Sequence, residues 1–96
     1  MEKLTIIANI VANADKIELV RDELLKLIDN TRQELGCINY DLHQDQHNPA
    51  HFVFYENWQS AQALEAHLAS KHISEYAQAV EGAIESFTIH RLTQIG

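Results

Sequence analysis

A single cysteine, Cys37, excludes an internal disulfide and makes a reducing, cytoplasmic setting the default expectation. Glycine is nearly as scarce. Gly36, Gly82 and Gly96 stand too far apart to write a phosphate cradle or a dinucleotide fingerprint, so nucleotide cofactors lose their usual support. Seven basic residues face fourteen acidic ones, a net charge of −7. Nucleic acids and anionic membrane surfaces both require a basic footprint, and neither is expected as a partner. A long hydrophobic run is missing as well. The apolar stretch at the N-terminus is broken by Asn9, is too short to span a bilayer, and leads to no small-residue cleavage site.

What is present suits one small core. The apolar fraction is 46% over 96 residues, and no repeat or linker interrupts the chain, so a single domain over residues 3–93 is expected. "LTIIANIVA" (4–12) is β-rich, with Leu4, Ile6, Ala8 and Ile10 on one face and Ile7, Asn9 and Val11 on the other. The period then changes. Ile17, Val20, Leu24, Leu27, Ile28, Thr31 and Leu35 recur at helical spacing, Asp15 with Glu18 suggests a capping box, and Gly36 suits the position just past the helix end.

Two period-two runs follow. "CINYDLHQ" sets Ile38, Tyr40 and Leu42 against Asn39, Asp41 and His43. "HFVFYENW" sets Phe52, Phe54, Glu56 and Trp58 against His51, Val53, Tyr55 and Asn57, with a turn at Asn48-Pro49 between the runs. Helical spacing returns from Ser60 with Ala61, Leu64 and Leu68. Ser70 can then cap a short helix carrying Ile73, Tyr76, Ala77 and Val80. "IESFTIHRLTQI" closes with alternation, Phe87 and Ile89 opposite Thr88, His90 and Leu92.

The order β-α-β-β-α-β predicts an α+β, ferredoxin-like fold: a four-stranded antiparallel sheet with its helices on one face. The first and third strands are apolar on both faces. A second copy is therefore expected to cover the bare face, sheet against sheet, as a homodimer.

Several residues invite a functional reading. His67 falls on the border of an apolar helical arc, where it either lines a helix–sheet cleft or packs its ring and wets its nitrogens. His72 falls in the first turn behind Ser70, where the positive helix end favours the neutral imidazole; a surface histidine at a helix joint is the plainer alternative. Asn9 must find a hydrogen-bond partner, in the backbone or in a ligand. Trp58 reads first as a core or interface anchor. His43, His47 and His51 are spaced by four but lie across a predicted hairpin without a third strong ligand, so no metal is expected.

With those residues in view, E-x-W-x-S-x-x-x-L-x-x-H-x-x-S-x-H (56–72) resembles the signature of the antibiotic biosynthesis monooxygenase (ABM) family, and "QELGCINYDLHQD" (33–45) resembles its second-strand segment. The likeness covers about residues 3 to 93. It implies a dimeric α+β barrel with a pocket between helices and sheet. It also implies oxygenation of a small aromatic or quinol-like substrate by dioxygen without metal, flavin or haem. An electron-rich phenolate can itself reduce dioxygen, so the protein need only deprotonate, position and exclude water. His72 or His67 would then be the base and Asn9 a hydrogen-bond donor to a carbonyl or oxyanion. Trp58, Phe54, Tyr76 and Phe87 would supply flat apolar walls. Haem-degrading relatives share an asparagine matched by Asn9, but this chain has His67 at their tryptophan position and Ala77 at their histidine position. Two alternatives keep the pocket without oxygen chemistry: a module that binds a small aromatic ligand, and an isomerase or degrader of a small carbonyl metabolite.

Overall fold

The computed structural model describes residues 3–96. In chain order the elements are β1 (Leu4–Ala12), α1 (Ile17–Arg32), β2 (Cys37–Gln44), β3 (His51–Trp58), α2 (Ala61–Leu68), α3 (Lys71–Ala79) and β4 (Ile84–Leu92). The strands pair antiparallel in the order β2-β3-β1-β4. This is the expected ferredoxin-like sheet, with the second helical segment divided in two. The division follows the two serines: Ser60 Oγ accepts from the Ala63 amide at 3.1 Å and Ser70 Oγ from the Ile73 amide at 3.4 Å, so each starts its own helix.

Alternation decides the layers. On β1, Ile6, Ala8, Ile10 and Ala12 are buried, whereas Thr5, Ile7, Asn9 and Val11 are only partly covered. Val20, Leu24 and Leu27 of α1 meet the first set together with Phe52, Phe54 and Trp58 of β3. Each such side chain contributes about 1.5–3 kcal/mol on leaving water. α1 lies over β2 and against α3, and α2 leans on β3. β4 is an edge strand that the helices barely reach, and Phe87 on its helix side stays 58% exposed. No helix among the described residues is long and apolar enough to cross a membrane.

Four local expectations fail for physical reasons. The Asp15–Glu18 capping box does not form. The N-cap is Lys16, one residue later, and it makes no side-chain cap bond, so the box spacing is lost. Leu35 is 94% exposed because α1 ends at Arg32, and a residue beyond the last turn no longer follows the helical stripe. Ile38 is 51% exposed because the β2–β3 register shifts between Cys37 and Asn39. The extra residue has no cross-strand partner and turns outward.

Gly36 lies not just past the helix but in the turn into β2, at φ +88°. A Cβ there would stand 2.5 Å from the Ala63 Cβ, and its carbonyl accepts from the Gln59 amide at 2.8 Å. Conformation and close approach both demand glycine at this point.

Candidate functional site

The serine caps fix the rotation of two short helices and thereby aim two histidines. His67, in the last turn of α2, is 2% exposed, with its ring centroid 4.8 Å from Trp58 and 5.3 Å from Tyr40. His72, in the first turn of α3, is part-buried. Both reach one carboxylate: Glu34 Oε2 lies 2.8 Å from His67 Nδ1 and 2.6 Å from His72 Nε2. An ionised carboxylate only accepts, so each facing nitrogen carries a proton, and Nε2 is left as the basic nitrogen of a neutral His67. Desolvation holds the His67 imidazole below its ordinary pKa, against the opposing hydrogen bond and charge of Glu34.

His67 borders a cavity of about 100 Å³ between helices and sheet. Its walls are almost wholly apolar, including Leu24, Leu27, Phe54 and Ile73, and exposed Phe87 and Ile89 stand at its mouth. Glu56 interrupts them. This carboxyl is 4% exposed, and its Oε1 accepts from Trp58 Nε1 at 2.9 Å. Desolvation pushes its pKa up to about 7, although the indole N–H pulls the other way. Burial also pushes Tyr76 up to about 12 and the Cys37 thiol up to about 11, which leaves Cys37 a poor nucleophile at neutrality.

The residues singled out from sequence thus divide. His67, Phe54, Tyr76 and Phe87 line the cavity. Trp58 stands behind it, fully buried, with its ring on His67 and its N–H on Glu56. His72 lies outside, in a polar surface depression of about 160 Å³ with Glu23, Lys26, Asn30 and Glu75. Asn9 is on the opposite face of the sheet, its Oδ1 2.9 Å from His51 Nε2. Sequence reasoning missed Glu34 and Glu56. Glu56 had a readable signal, a carboxylate among Phe52, Phe54 and Trp58 on a buried face. Glu34 had none, since its partners are 33 and 38 residues away.

Among the described residues, one group of three side chains has metal-ligand chemistry: Glu34, His67 and His72, with donor atoms within 4.8 Å of one another. The two nitrogens converge on a single carboxylate oxygen at hydrogen-bond distance. A zinc ion needs a common point about 2.0–2.1 Å from each donor. The arrangement is that of a hydrogen-bonded chain. His43, His47 and His51 form no such group with one another.

The sequence model described as antibiotic biosynthesis monooxygenase matches residues 3–79. The chain belongs to the antibiotic biosynthesis monooxygenase family. A relative, the probable quinol monooxygenase YgiN of Escherichia coli, is 31% identical, covering 97% of this chain and 98% of its own. The uncharacterized protein sll1783 of Synechocystis is 27% identical over 80% of this chain, which spans only about half (52%) of that protein's length. The crystal structure of PA3566 from Pseudomonas aeruginosa superposes with a TM-score of 0.96 at 33% identity, covering 100% of this chain and 97% of that one. The family match over residues 3–79 takes in β3, α2 and α3, where the cavity and the histidines lie.

Proposed function

We propose that the protein is a monooxygenase that inserts one oxygen atom of dioxygen into a small aromatic, quinol-type substrate with no cofactor of its own. One observation carries this reading: an apolar cavity open at one end is bordered by a buried imidazole that a carboxylate holds in one orientation. An apolar cavity of about 150 Å³ is enough to take benzene. At about 100 Å³ this pocket is smaller, so one aromatic ring fits with part of it lying in the open mouth at Phe87 and Ile89.

The chemistry follows from the two perturbed groups. Neutral His67 takes the hydroxyl proton of the quinol at Nε2, and the resulting quinolate passes electron density to dioxygen. A C–O bond forms at a ring carbon, that carbon loses its hydrogen, and the O–O bond breaks. Quinol plus dioxygen thus becomes hydroxyquinone plus water, with one oxygen atom in each product. Glu56, about half of it protonated at neutrality because burial raises its pKa to about 7, can in that form donate to a developing oxyanion, while Trp58 fixes its orientation. A bound ring that displaces water from this apolar cavity strengthens both interactions. Family membership and the likeness to YgiN support the same chemistry.

Oxygen uptake with a panel of hydroquinones is expected to exceed autoxidation, and His67→Ala to lower the rate about 10²–10⁴-fold. Uptake equal with and without protein would remove the assignment, and turnover in the absence of oxygen would replace it with the isomerase reading.

The same reading has the chain working as a homodimer. Ile7, Val53, Tyr55 and Leu92 lie on the sheet face without helical cover, and a second copy laid sheet to sheet would bury them. Sedimentation at twice the 11.0 kDa chain mass is the expected measurement.

A further inference from the structure

Resting on His67 as the base, we propose that Glu34 and His72 are its proton relay, exchanging a proton between the apolar cavity and water in the groove between α1 and α3. A proton taken up at His67 has no polar route out through the cavity. The ring is 2% exposed, its cavity is apolar, and burial disfavours the imidazolium that each turnover creates.

Continuous contacts lead away from it. Nδ1 of His67 meets Glu34 Oε2 at 2.8 Å, and the same oxygen meets His72 Nε2 at 2.6 Å, with 6.0 Å between the two ring centroids. His72 belongs to the polar depression, and Leu27 and Tyr76 line both that depression and the cavity. The two spaces are therefore separated by a single layer of side chains, which the His–Glu–His chain crosses. Holding His67 in one tautomer needs only the carboxylate. The second histidine leads on from Glu34, whose side chain is itself 17% exposed, into the polar depression.

The transfer balances. Nε2 of His67 gains the substrate proton, the Nδ1–H bond of the imidazolium breaks, and the proton passes to Oε2. Partial solvent exposure lets His72 exchange tautomers. In the Nδ1–H form, its Nε2 lone pair takes the proton from Oε2, and Nδ1–H is then released to water. At O–O cleavage His67 then gives its Nε2 proton to the departing water oxygen, and a proton returns from solvent through His72 and Glu34 to Nδ1. His67 and Glu34 are both restored and no net proton is released, as quinol plus dioxygen giving hydroxyquinone plus water requires. Glu34 and His72 are positioning and relay residues, since neither lines the cavity.

The test uses the whole chain and His72→Gln, which keeps a donor toward Glu34 but cannot relay. Oxygen uptake with hydroquinone is expected to show kcat lowered on the order of tenfold at unchanged KM, and recovered as free imidazole buffer is raised. The same loss at every buffer concentration would mean a structural role and overturn the relay. A second measurement needs no turnover. By ¹⁵N NMR of the imidazoles, His67 should be the Nδ1–H tautomer, and its proton exchange should slow in His72→Gln; unchanged exchange overturns the proposal. If hydroquinones are not consumed at all, the oxygenase reading fails, and the exchange rates still decide the relay. Glu34→Gln serves in the same measurements if His72→Gln does not fold.

Discussion

The two faces of the sheet use similar polar residues to different ends. On the helix side, Glu56 and His67 sit among Phe54, Trp58 and Tyr40, away from water, and both have their proton affinity displaced. On the bare side, Asn9 meets His51, and Thr5, Asn57, Asn39 and Asp41 join in a hydrogen-bonded chain across three strands. Those groups satisfy one another. Each of the helix-side pair keeps one polar atom without a protein partner beside an apolar cavity, and that is the condition under which an acid and a base become useful. Chemistry here depends on which layer covers a side chain more than on the residue type.

The contrast can be broken most severely at its centre. Trp58 is fully buried, packs on His67 and orients Glu56. Trp58→Ala should cost about 3–5 kcal/mol in denaturant unfolding and abolish turnover even where the protein remains folded.

Next comes Glu56→Gln, a test by pH. The Glu56 pKa rises from 4.5 unfolded to about 7 folded, so its stabilisation is fully present below the lower value and is lost as pH climbs through the upper one. The loss is on the order of 3 kcal/mol. His67 runs the other way. Its folded pKa is depressed, so its contribution is present above the unfolded value and is lost as pH falls toward the folded one. In wild type the two partly cancel. Glu56→Gln should leave the His67 dependence alone, making the variant more stable at about pH 8 than at about pH 5 by chemical denaturation.

The smallest effect on the fold belongs to the bare face. Tyr55 is 42% exposed, and Tyr55→Glu should change subunit stability by less than about 1 kcal/mol. The same change should shift the sedimenting mass from the dimer to the single chain. An unaltered mass would place the second copy elsewhere or nowhere.

Much of this organisation was legible in the chain. Period-two runs on β1 and β3 gave the correct inward faces because interior strands have no freedom to twist their pattern away. Ser60 and Ser70 marked two helix starts because a cap is a local contact between near neighbours. The errors fell where the period breaks. Leu35 continues the stripe of α1 in sequence but not in space, and Ile38 sits in a bulge that only the pairing of β2 with β3 reveals. The site was half readable. His67, Phe54, Tyr76 and Phe87 follow from their elements, and Glu56 was in plain view as a charge on an apolar face. Glu34 was not, since it follows the last turn of α1, and only tertiary packing brings it to the histidines.

The turn at Gly36 bears on how freely such a protein can vary. Glu34 stands two residues before that glycine and His67 one helical turn beyond Ala63, so the contact between residues 36 and 63 works as a clasp joining the strands of chain that carry the carboxylate and the imidazole. A methyl group inserted there would prise the two apart without touching either. Conversely, while the clasp holds, cavity walls such as Phe87 and Ile73 can be exchanged to admit differently shaped guests, with the spacing of the proton-handling groups left to the backbone.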